Sequence, residues 1–233
     1  MNSACHSESH DHGHGGHSHS HGDGPPPATN VAQLLNLKID TAQVVGLNLQ
    51  NAPDEVGKLF KDASRRYELK PVIKSDADEQ LILHIPFLNG SVKLHSVILR
   101  TNGSRFCPKT VKLWKNARHI DFDNVHDTKA TYTVTHPQVG VPYDDDHEMP
   151  DELVAESTFV EHHLPRHTFS GVRCLTLFVE DIYGDEEEAH LHSIELRGEF
   201  TELTRDPVIA LYELAPNPAY HKVPQESRYR VDY

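Results

Sequence analysis

Histidines beside a carboxylate are the side chains in this sequence whose spacing best suits chemistry. Glu161, His162 and His163 are consecutive, and His167 follows four residues after His163. Imidazole and carboxylate groups bind zinc and similar ions, so a metal-dependent hydrolase built on His162, His163 and His167 is one hypothesis. If this segment is a strand, however, neighbouring side chains point to opposite faces, and His162 and His163 diverge.

His190 and His192 form a second histidine pair. They are separated by one residue, so in a strand both rings lie on the same face, where two imidazoles can hold a metal. Histidines at the start of a strand are more commonly exposed to solvent, and that is the interpretation we adopt. We therefore assign no metal ligand and no cofactor to either cluster.

Motifs that would indicate an enzyme are absent from the sequence. It contains no G-x-G-x-x-G, G-x-x-x-x-G-K-[ST], G-x-S-x-G or H-E-x-x-H. The three cysteines, Cys5, Cys107 and Cys174, are too few and too scattered for a disulfide framework, and no C-x-x-C occurs. Cys174 is interpreted as a small core residue. The sequence thus predicts a protein that is not an enzyme and has no catalytic residue.

The charge balance narrows the classes of partner. The formal net charge is −13, which repels the phosphates of nucleic acid and favours basic partner surfaces. Three acidic clusters are expected to be solvated loops: Asp76 to Glu79, Asp144 to Asp146, and Asp185 to Glu188. No apolar run approaches the ~20 residues of a membrane helix, and the N-terminus does not resemble a secretory signal. We expect a monomer in the cytoplasm and nucleus, with no membrane or nucleic-acid partner.

Composition divides the chain into three parts. Residues 1–30 hold seven histidines between His6 and His21 among Gly, Ser and Asp, a composition that predicts a disordered tail with incidental affinity for metals. The second part, residues 31–221, is expected to be the folded domain. The third, residues 222–233, is expected to be a C-terminal tail.

Within the domain, the hydrophobic pattern changes from helical to strand-like. Short helical turns are predicted at 31–37 and at 56–60, the second with Asp54 as its N-cap after Pro53. Val97, Ile98 and Leu99 interrupt an alternating pattern, which indicates a bulge or a strand buried on both faces. Eight strands without intervening helices predict an all-β sandwich or jelly roll. The predicted strands are 72–73, 81–85, 91–100, 110–114, 130–135, 171–180, 191–198 and 207–212.

Four short stretches resemble the PITH family. They are Ser75-Asp76-Ala77-Asp78-Glu79-Gln80-Leu81 with Ile85-Pro86-Phe87; Val92-Lys93-Leu94; Leu113-Trp114-Lys115-Asn116 with Ile120-Asp121-Phe122-Asp123; and Leu196 to Leu203, followed by Tyr212-Glu213 and Asn217 to His221. Phe200 stands where the family often has Trp, and Tyr220 stands where Asp is usual. Within this family, the sequence is most similar to a stand-alone PITH domain-containing protein.

The resemblance implies a jelly-roll β-sandwich similar to galactose-binding-like domains, without catalytic residues. It also implies association with the 26S proteasome, as an adaptor or regulator. The motif residues are interpreted mainly as structural: Gly198 suits a bulge or close approach, and Asp76, Asp78 and Glu79 suit turn capping. A carbohydrate-binding or small-ligand-binding sandwich is the alternative, with Tyr143 and Tyr183 as its candidate aromatic residues.

Overall fold

The computed structural model of the chain describes residues 28–144 and 149–203. Most of the two predicted tails, and the predicted strand at 207–212, lie outside the described residues. So do the motif residues from Tyr212 to His221. Within the described ranges, no helix is long and apolar enough to cross a membrane.

Strands dominate the described part of the chain. The long strands are mostly buried on both faces, so apolar runs with β-branched residues, more than strict alternation, explain their positions. The strands are β1 (Val45–Leu47), β2 (Ile73–Lys74), β3 (Leu81–Pro86), β4 (Gly90–Thr101), β5 (Pro108–Lys115), β6 (Tyr132–Thr135), β7 (Phe159–His163), β8 (Cys174–Ile182) and β9 (His190–Glu202).

Within residues 28–144 and 149–203, helical structure is confined to short turns. One four-residue α-helix, α1 (Pro53–Val56), is accompanied by 3₁₀ turns at Val31–Gln33, Asn36–Lys38, Thr41–Gln43, Gly57–Leu59 and Glu156–Thr158. The prediction that Asp54 caps the helix is wrong. Ala52 is the N-cap and Pro53 occupies the first turn, where its missing N–H costs nothing, so Asp54 already lies inside the helix.

Two antiparallel sheets form the sandwich. The five-stranded sheet has the order β1-β3-β8-β5-β6, and the four-stranded sheet has the order β2-β9-β4-β7. Strands adjacent in space are mostly distant in sequence, as in a jelly roll. The all-β jelly-roll sandwich predicted from the sequence is confirmed.

The main core lies between the two sheets. Strand β8 contributes Leu175, Leu177 and Val179, which lie on one face of the strand. The opposite face of the same strand carries Phe178, which packs with Trp114 in a second cluster on the outside of the five-stranded sheet. Both aromatic residues are thus core residues, but they belong to a separate, smaller core.

The hydrophobic pattern of β4 is interrupted for both of the predicted reasons, because the strand contains a bulge and is buried on both faces. The pairing with β9 shifts between Leu94 and Ser96, which leaves His95 as a bulge residue. Val97, Ile98 and Leu99 are all buried, because the outer face of this sheet is also covered.

Candidate functional site

The acidic loop, Asp76 to Glu79, is held in place by one asparagine. Asn48 follows β1 with a φ of 58°, a left-handed conformation that asparagine tolerates better than most residues. Its Nδ2 donates to Asp78 Oδ1 at 2.7 Å and to the carbonyl oxygen of Gln80 at 2.6 Å. Its Oδ1 accepts from the amide of Ala77 at 2.9 Å. The end of β1 and the acidic loop therefore form one unit.

The two ends of this motif are also fixed by hydrogen bonds. Ser75 is fully buried, and its Oγ accepts from the amide of Ala189 at 2.9 Å. The carboxylate of Asp78 accepts from the amide of Gln80 at 3.0 Å, which is the turn-capping role predicted for it. These bonds leave Asp76 and Ala77 exposed at the tip of the loop.

A groove of about 840 Å³ runs between β1 and α1, and we call it the β1 groove. The backbone from Val44 to Leu49 forms one wall, and Pro53 and Val56 belong to the other. Among the described residues of its lining, Asp76 and Asp78 are the charged ones, so the charge that they give the groove is negative. The remaining lining residues are Asn51, Ala77 and Phe122.

The β1 groove includes exposed apolar side chains at the edge of a sheet. Strand β1 is the first strand of the five-stranded sheet, and Val45 within it is 48% exposed. Phe122 is 36% exposed. Our sequence analysis missed β1, although the alternation of Val45, Leu47 and Leu49 with Gly46 and Asn48 is the period-two pattern of a strand.

The consecutive histidines diverge, as expected for a strand. Nε2 of the partly buried His162 lies 2.9 Å from Nδ1 of the buried His136, and burial lowers the pKa of both rings to about 4. His163 lies on the other side of β7, with Nδ1 4.0 Å from Glu161 Oε1, and His167 is exposed. No local pattern pointed to His136, because it lies 26 residues away from its partner.

The second histidine pair does share a face, but the prediction that it is exposed to solvent is wrong. His190 and His192 are 1% and 0% exposed, because the segment holding Tyr143 covers them. His192 Nδ1 donates to the carbonyl oxygen of Leu69 at 3.0 Å, so its Nε2 accepts from the Tyr143 hydroxyl at 3.0 Å. That hydroxyl also lies 2.9 Å from His190 Nδ1. Burial lowers the pKa of His192 to about 3.

These contacts bear on the two alternative hypotheses. Among residues 28–144 and 149–203, no three His, Cys, Asp or Glu side chains form a group that could hold a metal ion, so the hydrolase hypothesis lacks its site. Tyr143, one of the two aromatic residues of the ligand-binding alternative, is only 7% exposed and cannot stack against a ligand at the surface. Tyr183 remains 37% exposed, and its hydroxyl donates to the carbonyl oxygen of His136 at 2.8 Å.

The two cysteines in the described ranges are buried thiols. Cys107 and Cys174 are 0% and 3% exposed, and burial raises the pKa of both. A nucleophilic cysteine needs the opposite shift, because the thiolate is the reactive form. Neither residue has the setting of a catalytic nucleophile.

The motif from Leu196 to Leu203 runs along the second half of β9. Gly198 pairs with Leu94 beside the bulge of β4, and a Cβ atom on it would lie 2.2 Å from the carbonyl oxygen of Lys93. The close approach predicted for this glycine is therefore present. Phe200 packs against the main core, with the ammonium of Lys38 5.0 Å from its ring centre. Leu203 is the last residue that the structure describes.

Solved structures with a similar chain path are found among carbohydrate-binding domains. A CBM32 domain from a family 31 glycoside hydrolase of Clostridium perfringens has a TM-score of 0.41 and 9% identity, covering 70% of this chain and 96% of that one. The lectin domain of lectinolysin, solved with Lewis B antigen, has a TM-score of 0.40 and 8% identity, covering 69% and 96%.

Proteins of similar sequence from three organisms are all PITH domain-containing proteins. A PITH domain-containing protein of Schizosaccharomyces pombe is 30% identical over 192 residues, covering 82% of this chain and 84% of its own length. PITH domain-containing protein 1 of Danio rerio is 34% identical, with 85% of each chain covered, and that of Homo sapiens is 31% identical, with 86% of each covered. The PITH domain family model matches residues 25–216. This chain belongs to the PITH domain family.

Proposed function

We propose that this protein is a non-enzymatic interaction module that associates with the 26S proteasome as an adaptor or regulator. The observation that carries the proposal is membership of the PITH domain family across residues 25–216, which supports a protein-interaction module. The step from that module to the proteasome follows from what the family resemblance implies. We also propose that the protein acts as a monomer in the cytoplasm and nucleus.

The side chains that could do chemistry support a non-enzymatic role. His136 and His162 bind each other, and His192 is tied to Tyr143 and to the backbone of Leu69. A general acid or base must reach a substrate proton, and rings buried in such networks hold the fold together instead. Cys107 is equally enclosed, with a raised thiol pKa.

The test is direct binding to purified 26S proteasome. The full-length protein is immobilised beside an unrelated jelly-roll domain of similar net charge, and proteasome capture is measured at low and at moderate salt. We expect capture by this protein above the control at both salt concentrations. Capture no greater than by the control domain would remove the proposal.

A further inference from the structure

We infer that the β1 groove is the surface that receives the partner, and that its occupant is an extended segment of a proteasome subunit that alternates apolar and lysine or arginine side chains. This inference rests on the proposed function for the source of the segment. The chemistry of the segment is argued from the groove itself.

The first argument is the exposed edge of β1. Strands at the edge of a sheet present backbone N–H and C=O groups that an added strand can pair with. The strand Val45–Leu47 lines the β1 groove and is about 7 Å long at ~3.3 Å per residue; beyond it the chain turns at Asn48, whose carbonyl oxygen accepts from the amide of Asp76. An extended segment fits this shape. Since β1 itself has only three residues, side-chain contacts must supply much of the affinity.

The second argument is the apolar surface. Val45 and Phe122 are 48% and 36% exposed, and Leu47 lines the same groove. Exposed apolar side chains gathered in one groove mark an interaction site more strongly than isolated ones. They call for apolar side chains on the occupant.

The third argument is charge complementarity. Asp76 and Asp78 are the charges in the lining, and no ion pair joins either of them to another residue within the described ranges. The formal net charge of −13 adds a field of the same sign. A cationic side chain on the occupant would satisfy both carboxylates, and a negatively charged segment would be repelled.

The neighbouring grooves lack this combination. The groove of about 780 Å³ beside α1 is lined by four cations and four carboxylates. Six of these side chains already form salt bridges with one another: Lys58 with Glu55, Arg65 with Glu68, and Lys70 with Asp151. A groove of about 350 Å³ on the other side of Val45 and Leu47 contains Arg118 and His119 beside Asp121. Neither selects a cationic partner as the β1 groove does.

The experiment measures full-length variants against two probes. The first probe is purified 26S proteasome. The second is a fluorescein-labelled peptide of the sequence KVKVKVK, with EVEVEVE as its matched control, followed by fluorescence anisotropy. Val45→Lys places a cation on the edge strand, and Val154→Lys is its control, because Val154 is 71% exposed and does not line the β1 groove.

A second pair of variants tests the charge. Asp76→Asn removes one carboxylate from the lining, and Asp185→Asn removes one from a different exposed acidic cluster. We expect Val45→Lys to weaken binding of both probes about ten-fold, as at a central interface residue. We expect Asp76→Asn to weaken it about three-fold, the effect of one exposed ion pair. Both control variants should bind like the unmodified protein, and EVEVEVE should not bind.

The outcomes separate this inference from the proposed function. If the proteasome binds every variant equally, the β1 groove is not the docking surface, although the proposed function stands. If the proteasome does not bind but KVKVKVK binds and Val45→Lys blocks it, the proposed function fails and the groove chemistry stands. If neither probe responds to Val45→Lys, the inference is overturned. Thermal melting of each variant shows that it is folded, and Phe122→Ser provides a second apolar test.

Discussion

Asn48 offers the sharpest test of how the acidic loop is built, because its backbone and its side chain contribute separately. Asn48→Gly keeps access to the left-handed conformation at φ 58° and removes the side chain. Asn48→Ala removes the same amide group but keeps the Cβ atom, in a conformation that alanine tolerates less well than asparagine or glycine. The difference between the two variants therefore isolates the backbone contribution.

The magnitudes follow from the contacts. Three side-chain hydrogen bonds, at 2.7, 2.6 and 2.9 Å, are lost in both variants. Because the site is exposed or half-buried, about 0.5 kcal/mol is assigned to each, or about 1.5 kcal/mol in total. Left-handed strain adds about 1 kcal/mol in Asn48→Ala. We expect the free energy of unfolding to fall by about 1.5 kcal/mol for Asn48→Gly and by about 2.5 kcal/mol for Asn48→Ala.

The assay is chemical denaturation, supported by thermal melting. In a domain of this size each 1 kcal/mol lowers Tm by about 3 °C, so the two variants should melt about 3 °C apart. Amide exchange at Ala77 should accelerate in both, because its acceptor on Asn48 is gone. Asp76→Asn is the control, and it should leave stability unchanged. If Asn48→Ala is as stable as Asn48→Gly, the strain argument is wrong, and if Asn48→Gly matches the unmodified protein, the hydrogen-bond argument is wrong.

Three further predictions test the packing of the sandwich. Gly198→Ala should lower the free energy of unfolding by about 2 kcal/mol in denaturant titrations, because its Cβ would lie 2.2 Å from the backbone oxygen of Lys93; an unchanged midpoint would contradict this close approach. The free energy of unfolding should fall as the pH drops from about 6.5 toward 4. In the unfolded chain the histidines bind protons near pH 6.5, whereas in the folded protein the pKa values of His136 and His192 are about 4 and about 3. Each of these histidines should contribute roughly 1.4 kcal/mol per pH unit to the slope of stability against pH, and a flat profile would refute their burial as neutral rings. Cys107 should react with a thiol reagent such as DTNB only after unfolding, and rapid labelling of the native protein would contradict its burial.

The histidines show what spacing alone could not predict. Spacing correctly separated His162 from His163 and paired His190 with His192, since strand geometry is local. Whether a ring is buried depends on what covers the strand, and Tyr143 lies 47 residues before His190. Partners that far apart leave no local pattern, so both the burial and the lowered pKa values were invisible in the sequence.

The sequence by itself determined the class of fold and the family. Period-two alternation is a property of each strand alone, and the motifs at Ser75 to Leu81 and at Leu196 to Leu203 are short continuous segments. Only the tertiary structure shows which residues form the β1 groove. The β1 groove joins Val45, Asp76 and Phe122, which come together because β1 pairs with β3 and because Asn48 binds the acidic loop. Residues separated by up to 77 positions become one surface only when the sheet forms, and it is that surface which we infer receives the partner.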